Sequence, residues 1–276
     1  MKFISAVIIW VLCAVAVQAQ TYYVVHVKGN IETKSNNEAL KVGAKVSADD
    51  ELRFITQDAT AVVMSREKGR MILNGKKSTK SADGEFLSFV KDVLLPMESN
   101  LKMSTRGDYR NIQDFKGFFG EGKYVIIGEE LVLTPNKTKF PVDDKKSFIY
   151  RYETDSRPVN KKVHIEGDNL VLNKTRLYKT HGVMVDPENT EPVDLIYFDM
   201  ETKDMQSLAK FKPVFVDEET LIMELQSVAS FIRSNGILPE DKIPGELYQF
   251  VLDVHGQTNK GLFEEWLLSK DLISKN

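Results

Sequence analysis

The sequence predicts a mainly β fold with added helices, from three observations. Short apolar runs of period two are punctuated by turn residues roughly every 8 to 12 positions. Pro141, Pro158, Pro187 and Pro192 mark corners between the later runs. Near the C-terminus the apolar spacing changes to that of a helix. The expected order is an N-terminal β meander over 20–80, a short helical connector over 81–120, a second, β-sandwich-like region over 121–216, and C-terminal helices over 217–276.

Residues 1–19, MKFISAVIIWVLCAVAVQA, read as an export signal. Lys2 supplies the positive start, residues 3–17 the apolar run, and Val17-Gln18-Ala19 a small-residue exit, with cleavage expected between Ala19 and Gln20. The apolar run is shorter than the roughly 20 residues of a spanning helix, which makes a retained anchor the lesser alternative. Trp10-Val11-Leu12 ahead of Cys13 lacks the small residue expected before a lipidated cysteine. Cys13 is the only cysteine, so taking 19 residues from 276 leaves 257 with none. Stability is then expected from core burial, without disulfides, in a bacterial periplasm or after secretion. In that compartment the Asn-X-Thr triplets at Asn136 and Asn173 read as incidental. Losing Lys2 takes the 37 basic residues to 36 against 40 acidic ones, which argues against a nucleic-acid partner.

The meander opens with Tyr23, Val25 and Val27 alternating with Tyr22, Val24 and His26. Gly29-Asn30 breaks that strand, and Ile31 begins its partner. After Leu40, Gly43 supplies a turn, and then Leu52 and Phe54 share a face opposite Arg53. Strands are expected at Ala61–Met64 and Met71–Leu73, with Asn74-Gly75 as a tight hairpin signal. Phe86, Phe89, Val90, Val93 and Leu94 fall at helix spacing before Pro96. A second short helix is expected under Asp108, with Ile112, Phe115 and Phe119 on one face. Further strands are expected at 123–127, 131–133, 147–152, 161–165, 170–172, 194–198 and 208–216. Asp217 then caps a helix whose stripe is Leu221, Leu225, Val228 and Ile232, closed by Arg233 and Gly236. Two shorter helices follow over 244–254 and 258–268.

The first β region carries Val27-Lys28-Gly29-Asn30-Ile31, Leu40-Lys41-Val42-Gly43, Leu52, Thr56, Ala59-Thr60-Ala61-Val62 and Gly69 in that order. Over residues 24–73 it resembles the FecR-type periplasmic domain, a β-rich module with Val-x-Gly-x-Val, Leu-x-x-Gly and an Ala-x-Val strand. The resemblance implies a β module in the envelope that contacts another protein or the cell wall. FecR-type regulators place a cytoplasmic segment and a membrane helix before the module, whereas a cleavable signal is expected here. Iron transport and transcriptional control are therefore not carried over.

Motifs of catalysis are sparse. Removal of Cys13 excludes a cysteine nucleophile, no Gly-x-Ser-x-Gly elbow occurs, and none of His26, His164, His181 or His255 opens a His-Glu-x-x-His zinc motif. Gly75-Lys76-Lys77-Ser78 fails the phosphate-loop pattern at both spacing and the Ser/Thr position. The acidic run Asp186–Glu191 reads as a proline turn in preference to a calcium loop. In Arg106-Gly107-Asp108, a tripeptide known from integrin recognition, the aspartate has the competing role of helix cap. No catalytic, cofactor or metal residue is therefore assigned.

Lys102, Arg106, Tyr109, Arg110 and Lys116 form the candidate binding patch, basic side chains interleaved with aromatic ones, suited to an anionic surface polymer. The expected function is that of a non-enzymatic exported envelope protein, binding another envelope protein or a cell-wall or surface polymer through the FecR-like module. One alternative is a periplasmic hydrolase with carboxylates drawn from distant segments, such as Asp143, Asp199 or Glu201. The other is a regulatory partner of a secreted enzyme.

Overall fold

The computed structural model describes residues 20–34, 37–75, 94–96, 109–154 and 157–274. The export signal, the helical run over 86–93, the Arg106-Gly107-Asp108 triplet and Lys76 to Ser78 lie outside the described residues. The fold is mainly β with helices at the C-terminal end. It divides into two compact units, the first reaching to Met97 and the second starting at Glu98.

The first unit is built from β1 (Thr21–Lys28), β2 (Ile31–Thr33), β3 (Lys45–Ser47), β4 (Leu52–Phe54), β5 (Thr60–Ser65), β6 (Gly69–Asn74) and β7 (Leu94–Pro96). An antiparallel sheet runs in the order β3-β1-β5-β6-β7, and β2 pairs with β4. The period-two pattern of β1 holds with one interruption. Val24 faces Val63 and His26 faces Val62, so Val25 is an extra, bulged residue. The bulge lets Tyr22 and Val24, and then Val27 beyond it, pack on one core with Ile31, Leu52 and Leu73. Gly43 adopts φ 89° and its N–H reaches Val24 O at 2.8 Å, making the expected turn. Leu52 is buried and Phe54 packs on the same core, while Arg53 pairs across the strands with Glu32.

Two local expectations are corrected. Asn74-Gly75 is not a two-residue hairpin, because neither residue has the positive φ that such a turn requires. Gly75 is small for another reason: a Cβ there would come within 2.8 Å of the Phe54 ring. The tight connection lies one strand earlier, between Ser65 and Gly69, where Gly69 has φ 67°. Leu94, expected on a helix, belongs to β7, with Leu94 facing Leu73 and Pro96 facing Met71. A strand at the sheet edge tolerates a proline because one side of its backbone needs no ladder partner.

The second unit comprises α1 (Phe115–Phe119), β8 (Lys123–Ile127), β9 (Glu130–Leu133), β10 (Lys146–Thr154), β11 (Arg157–Lys162), β12 (His164–Glu166), β13 (Asn169–Asn173), α2 (Lys174–Tyr178), β14 (Lys179–Thr180), β15 (Val183–Met184), β16 (Val193–Asp199), β17 (Met205–Val216), α3 (Glu218–Asn235), α4 (Ile243–Val254) and α5 (Lys260–Ser269). Its main sheet has the order β11-β10-β16-β17-β8, antiparallel except for the β17–β8 pair. A smaller sheet, β12-β13-β9, contributes to the same core. Phe148, Tyr150 and Tyr152 project from one face of β10 into it and meet Leu170 and Leu172 of β13 there.

Helix α1 begins later than expected, because Asp114 is its cap and accepts the Gly117 N–H at 3.0 Å. Ile112 precedes it in a bridge to Pro135 and is buried. The Phe119 ring lies parallel to that of Phe211 with centroids 3.9 Å apart, which fixes α1 on β17. Helix α3 follows the expected pattern closely. Asp217 accepts the Thr220 N–H at 2.9 Å, Leu221, Leu225, Val228 and Ile232 are buried, and Gly236 ends it at φ 59°.

Candidate binding groove

Strand β17 is the longest among the described residues and has two unlike halves. From Lys212 to Val216 it pairs with the parallel strand β8 and, on the opposite side, with no strand among the described residues. From Met205 to Phe211 it pairs with β16, and on the opposite side with no strand among the described residues. The change falls where β8 starts. Lys212 donates its N–H to Gly122 O at 2.7 Å, and ahead of that rung Gly122 (φ 106°) and Gly120 (φ 65°) lead the chain away from β17 into α1. The positive φ of Gly120 favours glycine there, and a Cβ would displace the Gln257 side-chain amide, whose Oε1 lies 2.1 Å from that position.

Beside this open half lies a cavity of about 590 Å³. Leu208, Ala209 and Phe211 supply apolar surface, and Lys116, Lys210, Lys212 and Glu121 are the charged residues of its lining. The lysines are not equivalent. Lys212 donates to the backbone carbonyls of Glu188, at 3.2 Å, and Thr190. Burial holds its pKa below the ordinary lysine value, opposed by the nearby carboxylates of Glu191, Glu188 and Asp186. Lys116 meets Glu121 at 3.6 Å in a pair exposed on both sides, a contact of small energetic weight. Lys210 is exposed and lies opposite Asp194 on β16, whose carboxylate accepts the Ser207 hydroxyl at 2.5 Å.

A second, smaller cavity of about 290 Å³ lies where the chain leaves α4. Its wall includes Lys123, His255, Gly256 and Gln257. Gln257 runs against the outer edge of β8, accepting the Val125 N–H at 2.7 Å and donating to Lys123 O at 2.9 Å. Gly256, at φ 132°, permits that approach, because a Cβ would sit 2.8 Å from Lys123 Cβ. His255 Nε2 lies 2.7 Å from the carboxylate of Glu224, which α3 buries almost completely. This couple ties the end of α4 to α3. Its pairing was not visible in the sequence, where 31 residues separate the two.

Of the candidate patch, Lys102 and Arg106 lie outside the described residues. Tyr109 and Arg110 are brought together by Glu265 of α5. The tyrosine hydroxyl donates to that carboxylate, and Arg110 meets it at 2.8 Å while lying over the Tyr109 ring. Lys116 stands elsewhere, on the wall of the groove. The residues that complete the groove, Lys210 and Lys212 with Leu208, were passed over as an ordinary strand. A pair of lysines at alternate positions within the otherwise apolar run from Leu208 to Val216 was the available signal.

The three carboxylates considered for hydrolysis lie on two connections linked by Lys145 and Lys146, and each is occupied. Asp143 accepts the N–H groups of Lys145 and Lys146 at 2.7 and 2.8 Å. Asp199 accepts those of Glu201 and Thr202 at 2.9 and 3.3 Å and lies 3.4 Å from Lys146 Nζ. Partial burial raises the Asp199 pKa, but these donors outweigh it and hold the group below the usual carboxylate value. Glu201 pairs with Lys145. In the acidic run, Asp186 caps a 3-10 turn over Pro187–Asn189 and accepts the Glu188 N–H at 3.0 Å. No model of a known protein family and no curated protein matches the chain.

Proposed function

We propose that the chain is an exported, non-enzymatic envelope protein that binds another envelope protein or a surface polymer. The groove beside the open half of β17 carries this reading: apolar surface, three lysines and a strand edge with no partner among the described residues occur together there. The carboxylates that a hydrolase would recruit already hold turn N–H groups and lysines, which supports binding over hydrolysis. The FecR-like resemblance of the first unit and the signal-like start of the sequence support an envelope location. This reading assigns binding to the second unit, whereas the resemblance alone would favour the first.

Affinity capture tests this reading. The chain starting at Gln20 is immobilised and exposed to an envelope extract at physiological salt, beside a Lys116→Glu/Lys210→Glu double variant. Retention of one component by the wild-type chain and its loss with the double variant are expected. A wild-type chain that retains nothing overturns the proposal.

A further inference from the structure

Resting on that binding role, we infer that the groove takes an extended acidic peptide as an added strand on the open half of β17. The ladder is the first reason. Lys212 points its N–H at Gly122, and peptide groups two residues apart on a strand point to the same side. The N–H and C=O of Lys210 therefore face the groove, one step beyond the last rung to the β8 side. No strand pairs there among the described residues. A bulge at Leu208, where Leu195 faces Ala209 and Ile196 faces Ser207, ends the regular stretch. Between that bulge and the first β8 rung, residues 209–211 offer a regular edge of about 10 Å at roughly 3.3 Å per residue, enough to align about three residues of a peptide.

The side chains define its chemistry. Ala209 and Phe211 are buried on one face of β17, and Lys210 is exposed on the other. A strand laid beside them presents small apolar residues next to Ala209 and Phe211. Its alternate residues emerge beside Lys210, where carboxylates are favoured, and Lys116 lines the same cavity. An uncharged wall glycan has neither the backbone rungs nor the charge to use this edge. Lysine on an exposed edge also guards against pairing between copies of a chain, and a groove with only that role binds no peptide.

The probe is a fluorescein-labelled, acetylated and amidated hexapeptide of alternating glutamate and valine, followed by anisotropy with the chain starting at Gln20. Saturable binding is expected, weakened about tenfold or more by Lys210→Glu and by N-methylation of the peptide at the amides that face the edge. Replacing its glutamates by lysines abolishes binding. Lys210→Pro removes the groove-facing N–H without touching the ladder to β16, so this variant keeps its thermal transition and loses the peptide. Absence of saturable binding overturns the inference, as does binding indifferent to N-methylation. An envelope component captured equally by wild type and Lys210→Pro overturns strand addition and leaves the binding function standing. A wild-type chain that binds the peptide but captures no envelope component sinks the function alone.

Discussion

The two halves of β17 lie in one strand of one sheet, yet they are satisfied in opposite ways. Its C-terminal half pairs with β8 alone, and the outer edge of β8 is covered in turn by Gln257; on the other side, where no strand pairs among the described residues, stands Pro213, which has no N–H to leave unmatched. The N-terminal half has β16 on one side and the lysine-rimmed cavity on the other. The difference arises outside β17 itself, from two glycines that divert the preceding chain into α1. An exposed edge is a property of the neighbour that is missing, and local sequence decides it poorly.

Substitutions can break or sharpen this comparison. The largest effect is expected where the halves join. Phe119→Ala removes the ring stacked on Phe211 and is expected to cost about 3–5 kcal/mol in urea unfolding. A cost under about 1 kcal/mol would mean that α1 does not define the groove wall. In the closed half, Val214→Pro deletes an N–H aimed at β8 and should cost about 3 kcal/mol.

Beyond the closed half, Trp266 Nε1 donates to Glu218 Oε1 at 2.8 Å, and Lys270 Nζ meets the same oxygen at 3.0 Å. The Trp266 hydrogen bond, followed by that of Lys270, holds Glu218 below the ordinary carboxylate pKa. A carboxyl group with a depressed folded pKa contributes stability above its unfolded pKa and loses it as pH falls through the folded one. Trp266→Phe is therefore expected to cost about 1 kcal/mol near pH 7, and the pKa-linked part of that cost should disappear on acidification. Denaturation midpoints of both chains from pH 7 down to pH 3 measure this; a gap that widens in acid would contradict it.

The smallest effect belongs to the open half. Lys210→Pro should cost less than about 1 kcal/mol, because its N–H serves no rung of the sheet. If Lys210→Pro and Val214→Pro are equally damaging in urea, the two halves are not different and the groove has no free edge.

Much of the second unit was legible from local signals. Asp217, the apolar stripe and Gly236 mark α3 at both ends because capping and αL preference act over a few residues. The alternation in β10 and β16 likewise names its own inward face. Asn74-Gly75 misled because a hairpin signal has meaning only if the next segment returns as the partner strand, and β6 pairs instead with the distant β7. The candidate site was legible only in Lys116. Tyr109 and Arg110 read as free surface, yet Glu265, about 155 positions along the chain, occupies both.

By itself the sequence determined the fold class, the positions of most strands, the three C-terminal helices and the scarcity of catalytic motifs. These follow from spacing, turn residues and residue chemistry within short windows. Tertiary structure alone decided that α1 packs on β17, that Glu224 meets His255, and that Lys116, Lys210 and Lys212 share one groove. Such pairings join residues dozens to nearly a hundred positions apart, and they are selected by the packing of the whole unit. The same packing leaves one half of β17 with a partner strand on one side only among the described residues.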